Sequence, residues 1–266
     1  MAIHSTAIVH PKAKIGCDVE VGPHVFIDEH VAVGDRTKIL QGAHLSGWTT
    51  IGEDNEIHMG AILGHEPQDV SFRKSERSYV TIGDHNIIRE YVTIHRGTKP
   101  ESKTVIGNHN LFMGFCHIAH NCEIGNHVVI CNGTVLAGYV QVEDSAFISG
   151  NCGIHQFCRI GRLAMIGGVT MVTTDVLPYM LLNCEKANSI NQVGMRRSHF
   201  SESAKREVKG AFQYLYRRGL NTTQALSEIE KRYSSPEVRY LVDFIRHSKR
   251  GSGRSSNPHL HAPESA

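Results

Sequence analysis

Counting in sixes from Ile3 lands on Val9, Ile15, Val21 and Ile27, and each further step to Leu63 also falls on Ile or Leu or Val. The frame slips once, because Ile82 follows Leu63 by 19 residues instead of 18. It resumes at Ile82, Ile88 and Ile94, skips a step at Pro100, and continues from Ile106 to Val172 with Phe112 as the one non-aliphatic member. With 40% hydrophobic residues in the chain, chance does not produce such a run. A period of six is neither the 3.6 of a helix nor the 2 of a strand. Glycine often follows the aliphatic residue, as in Ile15-Gly16, Ile51-Gly52, Ile106-Gly107, Ile124-Gly125 and Ile160-Gly161. The pattern predicts a prism of short parallel strands, one hexad per face and three hexads per 18-residue turn.

In such a prism the residue four places after each aliphatic one also points inward and has to be small. Ala7, Ala13, Ala43, Ala61, Cys116, Cys122, Thr134, Ala146, Cys152, Cys158 and Ala164 occupy these places. The narrow interior accounts for the 7% aromatic content and for most of the seven cysteines. Cys116 and Cys152 lie two turns apart, as do Cys122 and Cys158, roughly 9–10 Å at the usual strand spacing. That is too far for a disulfide, so they are core fillers. A net charge of +2 is not the basic excess of a nucleic-acid binder. No apolar run approaches the ~18 residues of a membrane span, so the chain is expected to be soluble and cytoplasmic.

Two polar segments leave the frame and read as loops, 64–80 and 96–104. The prism is expected over 1–177 and a helical domain over 178–251, with 252–266 a disordered tail. Three helices are expected in that domain. The first is capped by Ser201 and stopped at Gly219, with Val208, Phe212, Leu215 and Tyr216 on one face. The second follows in "NTTQALSEIEKRY". The third has Ser235 as cap and Pro236 at its first position, with Gly251 as stop.

Within the repeat, "HIAHNCEI" places two histidines three apart, where structure alone needs none. The hexad pattern resembles the hexapeptide-repeat acyltransferases, which implies an all-β left-handed parallel β-helix, here followed by a small α-helical domain. It also implies a homotrimer with sites between subunits. "REYVTIHRGT", "CHIAHNCEIG", "VLAG" and "HQFCRIG" narrow the resemblance to the UDP-N-acetylglucosamine acyltransferase family that begins lipid A synthesis. It runs from Ile3 to about Gly251. It implies transfer of a 3-hydroxyacyl chain from the phosphopantetheine arm of acyl carrier protein to the 3-position of the sugar of UDP-GlcNAc. It implies no further cofactor and no metal.

By this resemblance His120 is the general base, since an imidazole can take the proton of an attacking sugar hydroxyl. His117 lines the substrate site, and the backbone N–H of Gly138, 18 residues after His120, is a candidate oxyanion donor. Tyr139, His155 and Gln156 become substrate, acyl or pantetheine contacts. Asp69 matches a substrate-contacting carboxylate, and Asn191 and Arg197 match UDP-contacting positions. Gly168 matches the residue that measures acyl length; glycine there leaves the groove open to a chain of about fourteen carbons. Carrier protein is expected to dock on Lys205, Arg206, Lys209, Arg217 and Arg218 of the first helix.

The chain departs from the family pattern in four places. Asn121 follows the base where Asp is usual, Tyr139 stands where His is common, Ser71 replaces a frequent Lys, and Ser198 replaces a second Arg. The changes at Asn121 and Tyr139 leave transfer to a 3-amino UDP-sugar as an alternative. A prism-fold carbonic anhydrase would need three converging histidines on zinc, at a longer spacing than His117 and His120 show. A non-catalytic scaffold would predict no turnover and no effect of changing His120.

Overall fold

The computed structural model describes residues 2–183 and 186–251. The hexads wind into a left-handed parallel β-helix with three flat faces. The first face runs from Ala2–Ile3 to Met165–Ile166, the second from Ile8–Val9 to Met171–Val172, and the third from Lys14–Ile15 to Arg159–Ile160. Each strand pairs in parallel with the strand one coil away, as His117 and Ile118 do with Val135 and Leu136.

The aliphatic places fill the interior: Ile27, Leu45, Ile57, Leu63, Ile88, Ile94, Ile118 and Ile130 have no exposed surface. The small places are buried beside them from Ala43 to Ala164, whereas Ala7 and Ala13 are only partly covered in the first coils. The buried thiols donate to carbonyls of the neighbouring coil, Cys116 to Cys131 O at 3.1 Å and Cys152 to Gly167 O at 3.1 Å. Burial pushes the Cys116 and Cys122 thiols up to about 12 and that of Cys158 to about 11, which leaves them inert.

Corners between faces use residues in the left-handed region. On the corner from the second to the third face these are Asn121, Tyr139 and Phe157, with φ of 60°, 61° and 65°. That geometry costs a non-glycine residue about 1–2 kcal/mol. It is maintained because each such N–H still finds an acceptor on the preceding coil, Asn121 the Thr104 hydroxyl at 2.8 Å, Tyr139 the His120 carbonyl at 3.0 Å and Phe157 the Gly138 carbonyl at 3.1 Å.

Both interruptions of the period are insertions at this same corner. Ile51 pairs with Ile82, 31 residues on instead of 18, and Ile82 with Ile106, 24 residues on. The insertions are therefore 13 and six residues long. Thirteen shifts the hexad frame by one; six leaves it in phase and produces the skip at Pro100. The loops are shorter than the expected 64–80 and 96–104. Gly64 and His65 stay in the strand Ile62–His65, Tyr79 and Val80 open the strand Tyr79–Ile82, and Lys103 and Thr104 open Lys103–Ile106. Ladder pairing of Tyr79 with Lys103 and Val80 with Thr104 holds these ends down.

After Val172 the chain does not turn helical at 178. Met180–Asn183 adds to the first face, pairing Leu181 with Met165, and Lys186–Ile190 returns antiparallel to it. The apolar residues of these two strands explain the difference, because Leu182 completes the prism core while Met180 and Ile190 join the core of the helices. Among the described residues four helices follow: α1 (Gln192–Arg197), α2 (Glu202–Tyr216), α3 (Thr222–Arg232) and α4 (Pro236–Arg246). Ser201, Asn221 and Ser235 cap the last three, Pro236 opens α4, and Gly219 takes a positive φ after α2. α4 ends at Arg246 with His247 as its C-cap, short of Gly251. Tyr240 of α4 donates to Glu143 at 2.7 Å, and Phe244 lies 3.9 Å under the Arg159 guanidinium, which fastens the helices to the third face. The expected tail, 252–266, lies outside the described residues.

Candidate active site

The corner from the second to the third face carries, coil after coil, the 66–78 loop, the 96–102 loop, the His120–Asn121 turn, the Gly138–Tyr139 turn and the Gln156–Phe157 turn. His120 is 9% exposed. Its Nδ1 lies 3.0 Å from Asn121 Oδ1. The same oxygen accepts from the backbone N–H and the hydroxyl of Thr98, both at 3.1 Å. Three donors on one atom fix the Asn121 amide orientation and make His120 Nδ1 the protonated nitrogen. Nε2 is then the basic nitrogen, and it faces Asp69 Oδ2 at 3.9 Å.

Asp69 comes from the 66–78 loop. Its Oδ1 is occupied by the backbone N–H and hydroxyl of Ser71 at 2.8 and 2.7 Å, which leaves Oδ2 for the site. These two bonds, ahead of the nearby His120, hold the Asp69 carboxyl below the ordinary range. Ser71, at the position of a frequent lysine, thus orients the carboxylate.

Gly138 supports the base from below. A Cβ there would lie 2.3 Å from His120 Cε1 and 2.6 Å from Nε2, so only glycine lets the ring stand where it does. Among the described residues the Gly138 N–H has no acceptor. Tyr139 meets the His120 ring edge to face at 5.4 Å, and its hydroxyl lies 3.3 Å from Thr98 Oγ1. The residue replacing the usual histidine therefore braces the His120–Asn121 dyad through Thr98. On the other side, His117 Nδ1 lies 2.6 Å from Thr93 Oγ1, and its ring meets that of buried His95 at 4.9 Å. Burial lowers His117, and His120 beside it adds to the effect. Burial, then His117, brings His95 down to about 4. Both rings are neutral near pH 7.

The remaining expected residues do not join this group within one chain. Gln156 lies two coils further along the corner, half-buried, and His155 beside it is exposed. Asn191 is 6% exposed and caps α1: it accepts from Gly194 N–H at 2.9 Å and donates to Leu163 O at 2.8 Å. Its amide is committed to the fold. Arg197 is exposed at the end of α1. The bond to Leu163 places Asn191 by the corner from the third to the first face. Gly168 lies on the third corner, from the first to the second face, with ordinary space around a Cβ and no positive φ, so no local turn demands glycine there. Of the basic residues on and after α2, Lys205 pairs with Glu202, Arg217 donates to Asn188 O at 3.1 Å and Arg218 lies over the Tyr214 ring.

Residues 175–252 match the family described as Udp N-acetylglucosamine O-acyltransferase, domain 2, and residues 103–138 match the bacterial transferase hexapeptide family. The acyl-[acyl-carrier-protein]--UDP-N-acetylglucosamine O-acyltransferase of Halorhodospira halophila is 42% identical over 94% of this chain and 98% of its own length. This chain belongs to the UDP-N-acetylglucosamine O-acyltransferase family. The similarly named protein of Gloeothece citriformis is 43% identical over 79% of the chain and 76% of its own length. The UDP-N-acetylglucosamine acyltransferase structure from Bacteroides fragilis superposes with a TM-score of 0.91 at 43% identity, covering 94% of this chain and 99% of that one.

For a UDP-N-acetylglucosamine O-acyltransferase, the residues around the base that sequence reasoning passed over are Thr93, His95, Arg96 and Thr98. All four lie in or beside "TIHRGT", a run of polar groups leaving the frame one coil before the histidine pair. That clustering was the available signal. Among the described residues no helix is long and apolar enough to cross a membrane, and no three His, Cys, Asp or Glu side chains gather as metal ligands.

Proposed function

We propose that this protein transfers a 3-hydroxyacyl chain from acyl carrier protein to the 3-hydroxyl of the sugar of UDP-GlcNAc. The observation that carries the mechanism is the orientation of His120, with Nδ1–H given to Asn121 and Nε2 bare beneath Asp69. Nε2 takes the proton of the sugar hydroxyl as its oxygen attacks the thioester carbonyl. The carbonyl oxygen gains negative charge facing the Gly138 N–H. Collapse expels the pantetheine thiolate, and the proton on Nε2 passes to the sulfur. Asp69 Oδ2, free of Ser71, orients the sugar hydroxyls, and His117 lines the same pocket.

The protein acts as a homotrimer. Tyr91, Phe115 and Val169 stand 54–80% exposed along the corner between the first and second faces, and Val135 and Met171 are exposed on the second. The third face instead presents Glu123, Gln141 and Arg159 and carries α4. An apolar edge and its flanking face suit contact with further copies. Such packing supplies what a single chain keeps apart: Arg197 and Gly168 of one copy beside His120 of another. Arg197 then serves the nucleotide and Gly168 the far end of the acyl chain. Gln156 and His155 follow the pantetheine arm along the corner, and the acidic carrier docks on Lys205, Arg206, Lys209, Arg217 and Arg218.

The test is a mass-spectrometric transfer assay with UDP-GlcNAc and its 3-amino analogue against a panel of 3-hydroxyacyl carrier proteins. The hydroxyl acceptor should be acylated, and His120→Ala should lose about 10²–10⁴-fold with the fold retained. Preference for the amine, or more than a tenth of activity left in the variant, rejects the reading.

A further inference from the structure

The Arg96 side chain is 8% exposed, directly after the strand Thr93–His95. Its guanidinium carbon lies 5.6 Å from the ring centre of Trp48 and 5.3 Å from that of Phe72. Nη2 is 3.9 Å from Glu66 Oε1, and Nε is buried with no hydrogen-bond partner among the described residues. Burying a guanidinium this way is unfavourable, and the two carboxylates that favour its charge, Glu66 and then Asp28, offset only part of it. The surroundings are nonetheless shaped to admit it. Gly47 has φ +59°, and a Cβ there would come within 2.7 Å of Arg96 Nη1.

What Arg96 touches explains its retention. Trp48 belongs to the prism strand Trp48–Ile51, whereas Glu66 and Phe72 belong to the 66–78 loop, three residues to either side of Asp69. Two residues after Arg96, Thr98 binds the Asn121 oxygen that orients His120. One short segment therefore holds the loop with Arg96 and the base with Thr98.

We infer that Arg96 is a positioning residue: it grips the 66–78 loop on both sides of Asp69 and thereby sets that carboxylate against His120 Nε2. The inference rests on His120 and Asp69 forming the sugar site, as proposed above.

The test compares Arg96→Met, Phe72→Ala, Asp69→Asn and the Arg96→Met/Asp69→Asn pair. Trp48 is the single tryptophan, so its emission reports loop seating without reference to turnover. Arg96→Met and Phe72→Ala should shift that emission to the red and raise KM for UDP-GlcNAc about tenfold, with KM for the acyl carrier within about twofold. Asp69→Asn should raise the same KM and leave the emission unchanged. In the Asp69→Asn background, Arg96→Met should add less than about twofold, since the group it positions is already lost. Multiplicative effects, an equal rise in both KM values, or unchanged emission in both loop-grip variants overturns the inference. Phe72 sits in the surface loop, so its variant keeps the question open to test if Arg96→Met does not fold. If the wild type transfers no acyl group, the functional proposal fails, and the emission shifts alone decide whether Arg96 seats the loop.

Discussion

Gly138→Ala isolates the geometry of the base from its chemistry. The added methyl would start 2.3 Å from His120 Cε1, 2.6 Å from Nε2 and 2.9 Å from Nδ1. Ordinary contact is reached only if the ring moves away by about 1 Å, or tilts and loses its 3.0 Å bond to Asn121. A displacement of that size at a reacting group costs about 10²-fold, equivalent to about 2.7 kcal/mol of barrier. The backbone tolerates alanine because Gly138 does not use a positive φ. Thermal stability and oligomeric state should therefore stay near wild type while kcat/KM for transfer falls about 10²-fold. Gly150→Ala is the control: its Cβ would meet only Asn132 O at 3.2 Å, on another corner, and activity should be retained. If Gly138→Ala keeps a third or more of wild-type kcat/KM, the ring is not held against this glycine and the argument fails.

Three further outcomes are expected. Asn121→Asp places an ionised carboxylate on the base, and the acid limb of the kcat/KM–pH profile should move to higher pH; an unmoved limb would show that Asn121 does not hold Nδ1. His95 is brought by burial from 6.5 to about 4, so the unfolded chain binds the extra proton first and stability present above pH 6.5 is lost as pH falls toward 4. The linked loss is of order 3 kcal/mol, and His95→Phe should flatten the decline of Tm across that window. Gly168→Met fits its surroundings and should shift preference to chains shorter by several carbons, at roughly 0.8 kcal/mol per methylene, read with a donor panel; an unchanged preference removes Gly168 from the acyl groove.

The prism was readable in the sequence because its period is enforced at every coil: an aliphatic and a small residue must both point inward in a narrow core. The same rule classified the cysteines. The antiparallel strands Met180–Asn183 and Lys186–Ile190 escaped it because their alternation is that of an ordinary two-stranded ribbon, one that closes the prism without repeating it. For the site, spacing alone stacked His120, Gly138 and Gln156, and the ladder reproduces that column. Asp69 reaches His120 through a loop whose path no period encodes, and only the resemblance pointed to it. Asn191 shows the converse: "NQVG" carries a local helix-cap signal, and the side chain serves Gly194 N–H as that signal implies. Arg96 was invisible because burial of a guanidinium follows from two loops meeting, not from its neighbours in the chain.

Both insertions leave the prism and re-enter it at one corner; the ladder bulges between Leu63 and His65 where they depart, and the third-face ladder they re-enter keeps its register. The scaffold is thus indifferent to what is spliced there. New specificity can arise by lengthening, trimming or exchanging these two segments while the coils go on folding as before. A shortened chain lacking the six-residue segment would remain in phase, a sound prism without a working dyad. Heritable variation in what such a chain acts on and variation in whether it folds can therefore accumulate separately, which helps one architecture diversify.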